Sequence, residues 1–340
     1  MVSAALVVCL CVGLGLAALY TFWQARKIDA RFPPAGQMLD AGGTSIHFTD
    51  LRPKSQNKSG AEKQTILLIH GASGNEADMR LALASSLLAL NYRVVSIDRP
   101  GLGWSGRPAN PDDDNLAGQA RLIHRVMSRH GVRNALVVVH SLAGAIGLQL
   151  ALDHPDFTKA LLMISPATHP WPGGIARYYT VAASMPGQLF NYTLALPLGQ
   201  AMMKPAVQSV FAPQNPPNDY VKNTKLPLVL RPQTFGANAR DVAGLYNFVT
   251  AQAPRYKNIR TPVAIISGSA DTIVLTEIHS RNSARDIPGA TLTILPGAGH
   301  APHWSHTADV VAEIGKLHAR LAASPRPAQA GAPHQTLSGK

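Results

Sequence analysis

The chain has 340 residues, 46% hydrophobic and 15% charged, with a formal net charge of +12. That is a globular composition carrying one extra apolar segment, and at this length an α/β fold commonly forms one domain plus an insertion. Both cysteines, Cys9 and Cys11, lie in the apolar segment, so the remainder holds no disulfide, cysteine nucleophile or thiolate metal site.

Val2 to Trp23 carries no Lys, Arg, Asp or Glu and is long enough to cross a bilayer as a helix. Tyr20, Phe22 and Trp23 form an interfacial belt, and Arg26, Lys27 and Arg31 follow at once. A cleaved signal peptide has a basic start and a shorter apolar core, so residues 1–23 read as an uncleaved membrane anchor. The positive-inside rule then places the rest on the cytoplasmic side, with a periplasmic or external domain as the alternative. The whole positive excess sits on the part that meets water, which suits attraction to anionic headgroups. No recognition motif or basic-aromatic interleaving points to nucleic acid.

Residues 24–35 read as a basic linker ending in Pro33-Pro34. Strands are expected around 37–39 and 45–48, separated by the Ala41-Gly42-Gly43 turn, and Arg52–Lys63 reads as a surface loop. Thr65–Ile69 is an unbroken apolar run of the kind found in buried parallel strands. His70-Gly71-Ala72-Ser73-Gly74-Asn75 follows, then a helical pattern over 76–90. The next strand, from Arg93, ends at Asp98, with the glycine-rich Arg99–Gly106 loop after it. Asp98 is expected to accept backbone N–H bonds from that loop. Asp112-Asp113-Asp114 reads as a capped helix start, and calcium ligation is disfavoured because spaced ligand positions are lacking.

A run of β-branched and apolar residues then ends at His140, and a helical pattern begins at Leu142. Ser141 sits on the corner between them, with Ala143 and Gly144 supplying room on the helix side. The backbone N–H of Leu142 would face negative charge developing near the Ser141 oxygen. After a helix ending near His154 and a strand at 160–164, the rhythm breaks. Residues 165–260 are rich in proline and aromatics, with helical apolar segments. Strands resume at 262–267, followed by Gly268-Ser-Ala-Asp271, and at 291–295, followed by Pro296-Gly-Ala-Gly-His300. A helix is expected over 305–321, and residues 323–340 read as a disordered tail.

The His140-Ser141-Leu142-Ala143-Gly144 corner resembles the nucleophile elbow of the α/β-hydrolase superfamily. Val139 is bulkier than the small residue that pattern prefers. The resemblance extends to His70-Gly71, to the Asp98–Ser105 loop and to the chain order Ser141, Asp271, His300. It implies a mostly parallel sheet with helices on both faces, a core of residues 36–164 and 261–322, and a helical cap over 165–260. It further implies Ser141 as nucleophile, His300 as base, Asp271 as orienting acid, and an oxyanion hole from the N–H groups of Ala72 and Leu142, with His70, Gly71 and His140 in support. No cofactor is implied. The expected activity is hydrolysis of carboxylic esters, with an apolar small-molecule acyl substrate. Thioesterase, amidase, C–C hydrolase and perhydrolase chemistry on the same triad, or a non-catalytic binding role, remain alternatives. His300, His303 and His306 recur every three residues, but Pro302 breaks the helix face a metal would need, so His303 and Trp304 are assigned to the pocket mouth or the helix start.

Overall fold

The computed structural model describes residues 4–54, 63–108 and 110–323. The expected disordered tail and most of the expected 52–63 loop therefore lie outside the described residues. The first helix, α1 (Ala4–Arg31), is long and apolar enough to cross a membrane by length and composition. It does not stop at Trp23: the helix runs through most of the expected linker, and Pro33-Pro34 terminates it. The reason is tertiary, because Ile28 and Phe32 are buried against Leu196, Leu228 and Leu230.

Eight strands follow: β1 (Gln37–Asp40), β2 (Ser45–Leu51), β3 (Lys63–Ile69), β4 (Tyr92–Ile97), β5 (Ala135–His140), β6 (Thr158–Ile164), β7 (Val263–Gly268) and β8 (Thr291–Leu295). They form one sheet in the order β1-β2-β4-β3-β5-β6-β7-β8. β1 and β2 pair antiparallel, β2 runs antiparallel to β4, and every later pairing is parallel. The parallel strands need crossovers, supplied by α2 (Glu76–Ala89), α3 (Leu116–Arg129) and α4 (Ala143–Asp153).

The sheet is buried on both faces, which is why its central strands read as continuous apolar runs. Alternation sorts the side chains. Ile66, Leu68, Leu136 and Val138 pack with α2 and the C-terminal helix, whereas Leu67, Ile69, Val137 and Val139 pack with α3 and α4. α3 starts at Leu116, not in the aspartate run. Asn115 is its cap, accepting the Gly118 N–H at 2.9 Å, while Asp113 and Asp114 pair with arginines.

Between β6 and β7 the chain forms α5 (Arg177–Ala183), α6 (Gly187–Thr193), α7 (Ala195–Phe211), α8 (Tyr220–Asn223), a 3-10 turn (Leu226–Leu230), α9 (Pro232–Gln252) and a second 3-10 turn (Ala253–Asn258). This segment is helical, as expected, but not self-contained. Leu245 and Val249 of α9, with Tyr256 and Ile259, belong to the same buried cluster as β5 and β6. α10 (Ser280–Asp286), α11 (Pro302–Ser305) and α12 (Thr307–Ala323) complete the fold.

Candidate active site

After β3 the chain builds outward to β4, then returns to place β5 on the other side of β3. The loops that leave β3 and β5 therefore diverge, and the crevice between them is where ligands bind in open α/β sheets. Gly71 and Ser141 meet in that crevice. A Cβ at Gly71 would fall 2.9 Å from the Ser141 Cβ, so only glycine fits.

Ser141 adopts φ 55°, a left-handed conformation that costs a non-glycine residue about 1–2 kcal/mol. Its N–H donates to Ile164 O at 3.0 Å, continuing the ladder, and its carbonyl accepts from Gly144 and Ala167. The turn is thus over-determined by its neighbours. Val139 is accommodated from the helix side: a Cβ at Gly147 of α4 would lie 2.9 Å from the Val139 Cγ1. The space that Val139 takes up is left by the missing side chain of Gly147.

His300 lies in the loop after β8 and is 4% exposed. Its Nε2 is 3.0 Å from Ser141 Oγ, and its Nδ1 is 2.8 Å from Asp271 Oδ2. A carboxylate only accepts, so Nδ1 carries a proton, and in the neutral imidazole Nε2 then presents its lone pair to the serine hydroxyl. Asp271 is fixed by its other oxygen, which accepts the N–H groups of Ile273 and Val274 at 2.9 Å each. The two loops are tied together, since Ala270 N–H donates to Ala298 O at 2.9 Å.

The loop carrying Ala72 is braced from several sides. Arg99 N–H donates to His70 Nε2 at 3.0 Å, so the His70 Nδ1–H donates to Gly71 O at 2.9 Å. Burial, helped by the nearby Arg99 charge, pushes His70 down to about 4, which keeps the ring neutral for that arrangement. Ser73 N–H donates to Asn238 Oδ1 of α9 at 2.7 Å. The fully buried Arg99 guanidinium bonds Gly71 O, Gln119 Oε1 and Asp241 Oδ2, and Asp241 also takes Arg107. Asn238 and Asp241 were not singled out in sequence. Only their i,i+3 placement on one face of α9 hinted at a shared target.

Asp98 is structural, as expected. It accepts from Glu76 N–H at 2.7 Å and Trp104 N–H at 2.8 Å, and faces His47 Nδ1 at 2.7 Å. Burial favours its neutral form, but the His47 bond and charge hold the carboxyl below the usual range.

A second acid–histidine group sits behind the first. His140 Nε2 donates to His300 O at 3.0 Å, and its ring lies 4.4 Å from that of His303. His303 faces Asp78 Oδ2 at 3.4 Å, while Asp78 Oδ1 accepts from Tyr220 OH (2.9 Å) and Trp304 Nε1 (2.8 Å). His303 is therefore at a helix start but buried, not at a pocket mouth. Burial drives His140 well below its ordinary value, and the neighbouring His303 and His300 rings add to this. For Asp78, burial is outweighed by His303, His140 and the Trp304 N–H, which hold it well below the carboxylate range. Asp78, His140 and His303 each place one donor atom within 4.8 Å of the others, a grouping that includes neither His300 nor His306. Sequence reasoning missed Asp78 as the partner of His303.

The family described as α/β hydrolase fold matches residues 64–307. A putative carbamate hydrolase of Caulobacter is 28% identical over 256 residues, spanning 71% of this chain and 85% of that protein. Among solved structures, a putative lipase from Acinetobacter baumannii superposes with a TM-score of 0.66 at 22% identity, covering 89% of this chain and 96% of the lipase. A bacterial membrane phospholipase A superposes with a TM-score of 0.64 at 19% identity, covering 94% and 98% respectively. The family match over most of its length establishes that the chain belongs to the α/β-hydrolase fold family.

Proposed function

We propose that this protein is a membrane-anchored serine hydrolase that cleaves carboxylic esters through an acyl-serine intermediate. The observation that carries the reading is the unbroken line from Asp271 through His300 to Ser141, at 2.8 and 3.0 Å. As the Ser141 Oγ forms its bond to the acyl carbon, His300 Nε2 takes the hydroxyl proton and the carbonyl electrons move onto oxygen. The N–H groups of Ala72 and Leu142 receive that oxyanion. Two such donors lower the barrier by several kcal/mol, at roughly 3–4 kcal/mol each. Collapse expels the alkoxide, which takes the proton from His300. Water then adds to the acyl-serine with His300 again as base, releasing the acid and restoring Ser141.

Asp271 keeps the imidazole in the required tautomer and stabilises its charge. The helices of residues 165–260 act as the cap, and α1 as the anchor. An apolar acyl group suits both the cap side chains and the membrane location. The test is labelling of the protein by a fluorophosphonate, read by peptide mass spectrometry. Label at Ser141 that disappears in Ser141→Ala and His300→Ala supports the reading. Folded wild-type protein that resists the probe and turns over no short aryl ester defeats it.

A further inference from the structure

α1 divides into two parts. Leu6, Val8, Leu10, Leu16 and Leu19 are each about three-fifths exposed. From Tyr20 onward the helix is fastened to the protein: Tyr20 OH donates to Gln200 Oε1 at 3.0 Å, and Thr21 Oγ1 donates to Thr193 O at 2.7 Å. The free stretch, residues 4–19, rises roughly 24 Å at ~1.5 Å per residue, against a hydrocarbon core of about 30 Å. The edge of the core therefore falls at or beyond Leu19, with Tyr20, Phe22 and Trp23 as the interfacial belt. α6, docked at Thr21, is brought to that same level. It presents apolar side chains there: Met185, just before α6, is 84% exposed, and Leu189 and Tyr192, with Leu198 and Met202 of α7, also face outward. Exposed apolar side chains that continue the surface of a membrane helix have the bilayer as their natural cover.

Directly beyond this level, between α1 and the cap, lies a cavity of about 370 Å³ lined among others by Gln24, Lys27, Arg31, Gln200, Met203 and Leu230. That volume is within the roughly 300–1,000 Å³ range of small-molecule sites. Lys27 lies over the Trp23 ring and Arg31 over Phe32, and neither has a carboxylate partner among the described residues. The one acid on this turn, Asp29, is taken by Arg231. Two uncompensated cations with amide neighbours and an apolar floor, at headgroup depth, are chemistry that recognises a phosphate joined to a lipid.

We propose that this cavity binds the headgroup of an anionic phospholipid drawn from the bilayer that receives α1, with Lys27 and Arg31 on its phosphate and its acyl chains along the exposed face of α6 and α7. The inference rests on the reading of α1 as a membrane anchor. A bound headgroup would clamp α1 to α7 and the Leu226–Leu230 turn, and so stiffen the cap's attachment to the membrane.

The full chain, reconstituted in nanodiscs of equal phosphatidylglycerol and phosphatidylcholine, is released and weighed by native mass spectrometry. Wild type is expected to retain phosphatidylglycerol in at least fivefold excess over phosphatidylcholine. Lys27→Ala with Arg31→Ala brings the ratio to about one. Arg26→Ala, which removes a cation that stacks on Phe22 outside the cavity, leaves the excess in place. Met203→Trp, which fills the cavity with both cations intact, also removes the excess. Equal retention of the two lipids by wild type overturns the proposal, as does an excess that survives both the double variant and Met203→Trp. Vesicle flotation separates the two readings. A wild-type chain that does not float ends the anchor reading and the cavity proposal together. One that floats without headgroup preference ends the cavity proposal alone.

Discussion

Two acid–histidine groups lie back to back in this molecule, and they differ in what each ends on. Asp271–His300 ends on the Ser141 hydroxyl, at the corner between β5 and α4. Asp78–His303 ends on the ring of His140, whose Nε2 donates to the carbonyl of His300 and not to a hydroxyl. Both carboxylates are buried and fully hydrogen-bonded, so burial and pairing alone do not mark a reactive site. What distinguishes the first is the strained corner: Ser141 at φ 55° holds its hydroxyl where the loop after β3 can face it. The second group is reached by Tyr220 of α8 and Trp304 of α11, and it joins the helical 165–260 segment to the chain that follows His300.

The comparison is broken most sharply at the serine. Ser141→Ala and His300→Ala are each expected to lower kcat for aryl esters on the order of 10⁶-fold. Thermal midpoints should stay near wild type, and Ser141→Ala, relieved of its hydroxyl but not of φ 55°, should fold normally. Asp271→Asn comes next, with a loss on the order of 10⁴-fold in kcat, because an amide favours the wrong imidazole tautomer. Equal losses in Asp78→Asn would mean that the two groups act as one, and would end the distinction drawn here.

Asp78→Asn is instead expected to act on stability. It removes the charge that Tyr220, Trp304 and His303 face, at about 3 kcal/mol by urea unfolding at pH 7, with kcat within tenfold of wild type. The pH dependence has a definite sign. Asp78 is held below its unfolded value, so its contribution is complete above the ordinary carboxylate range. It is lost as pH falls through that range toward the native value. The stability gap between wild type and Asp78→Asn should hold constant from pH 7 to about 5 and narrow below about pH 4. A gap that widens in acid would reverse the assignment.

Much of this architecture is legible in sequence because it rests on local rules. The strands β3 and β5 announce themselves as apolar runs of buried parallel strands, and Ser141 stands where one period gives way to another. Chain order then suffices to bring Asp271 and His300 to neighbouring strand ends. The unreadable features all depend on partners distant in sequence. α1 continues past Trp23 because Ile28 and Phe32 find Leu196 and Leu228 far along the chain. The start of α3 was misplaced because Asp113 and Asp114 serve arginines, leaving Asn115 to cap. Val139 looked like a departure because the space it needs comes from Gly147 on the facing helix. Asp78 was invisible for the same reason: on a helix it reads as one more first-turn acid, and its partners sit at 220, 303 and 304.

The finest test concerns how far the second group couples α8 to the loop that carries His300. Tyr220 OH gives Asp78 one of its hydrogen bonds, and burial together with the Asp78 charge raises the phenol well above its ordinary value, so it remains a donor at every working pH. Tyr220→Phe removes that donor but keeps the ring packed on Phe211 and Trp304. One bond to a charged acceptor is worth about 1.5–3 kcal/mol, and the remaining Trp304 bond softens the loss, so about 1.5 kcal/mol is expected. In the Asp78→Asn background the acceptor has lost its charge, and the same substitution should cost less than about half as much. That non-additivity, measured by urea unfolding of the four proteins, would show that Tyr220 acts through Asp78. Additive losses would make Tyr220 a packing residue only, and the 165–260 segment would then be tied to the loops around Ser141 and His300 by Asn238 and Asp241 of α9 and by Gln214, which donates to Gly297 O and accepts from Gly299 N–H.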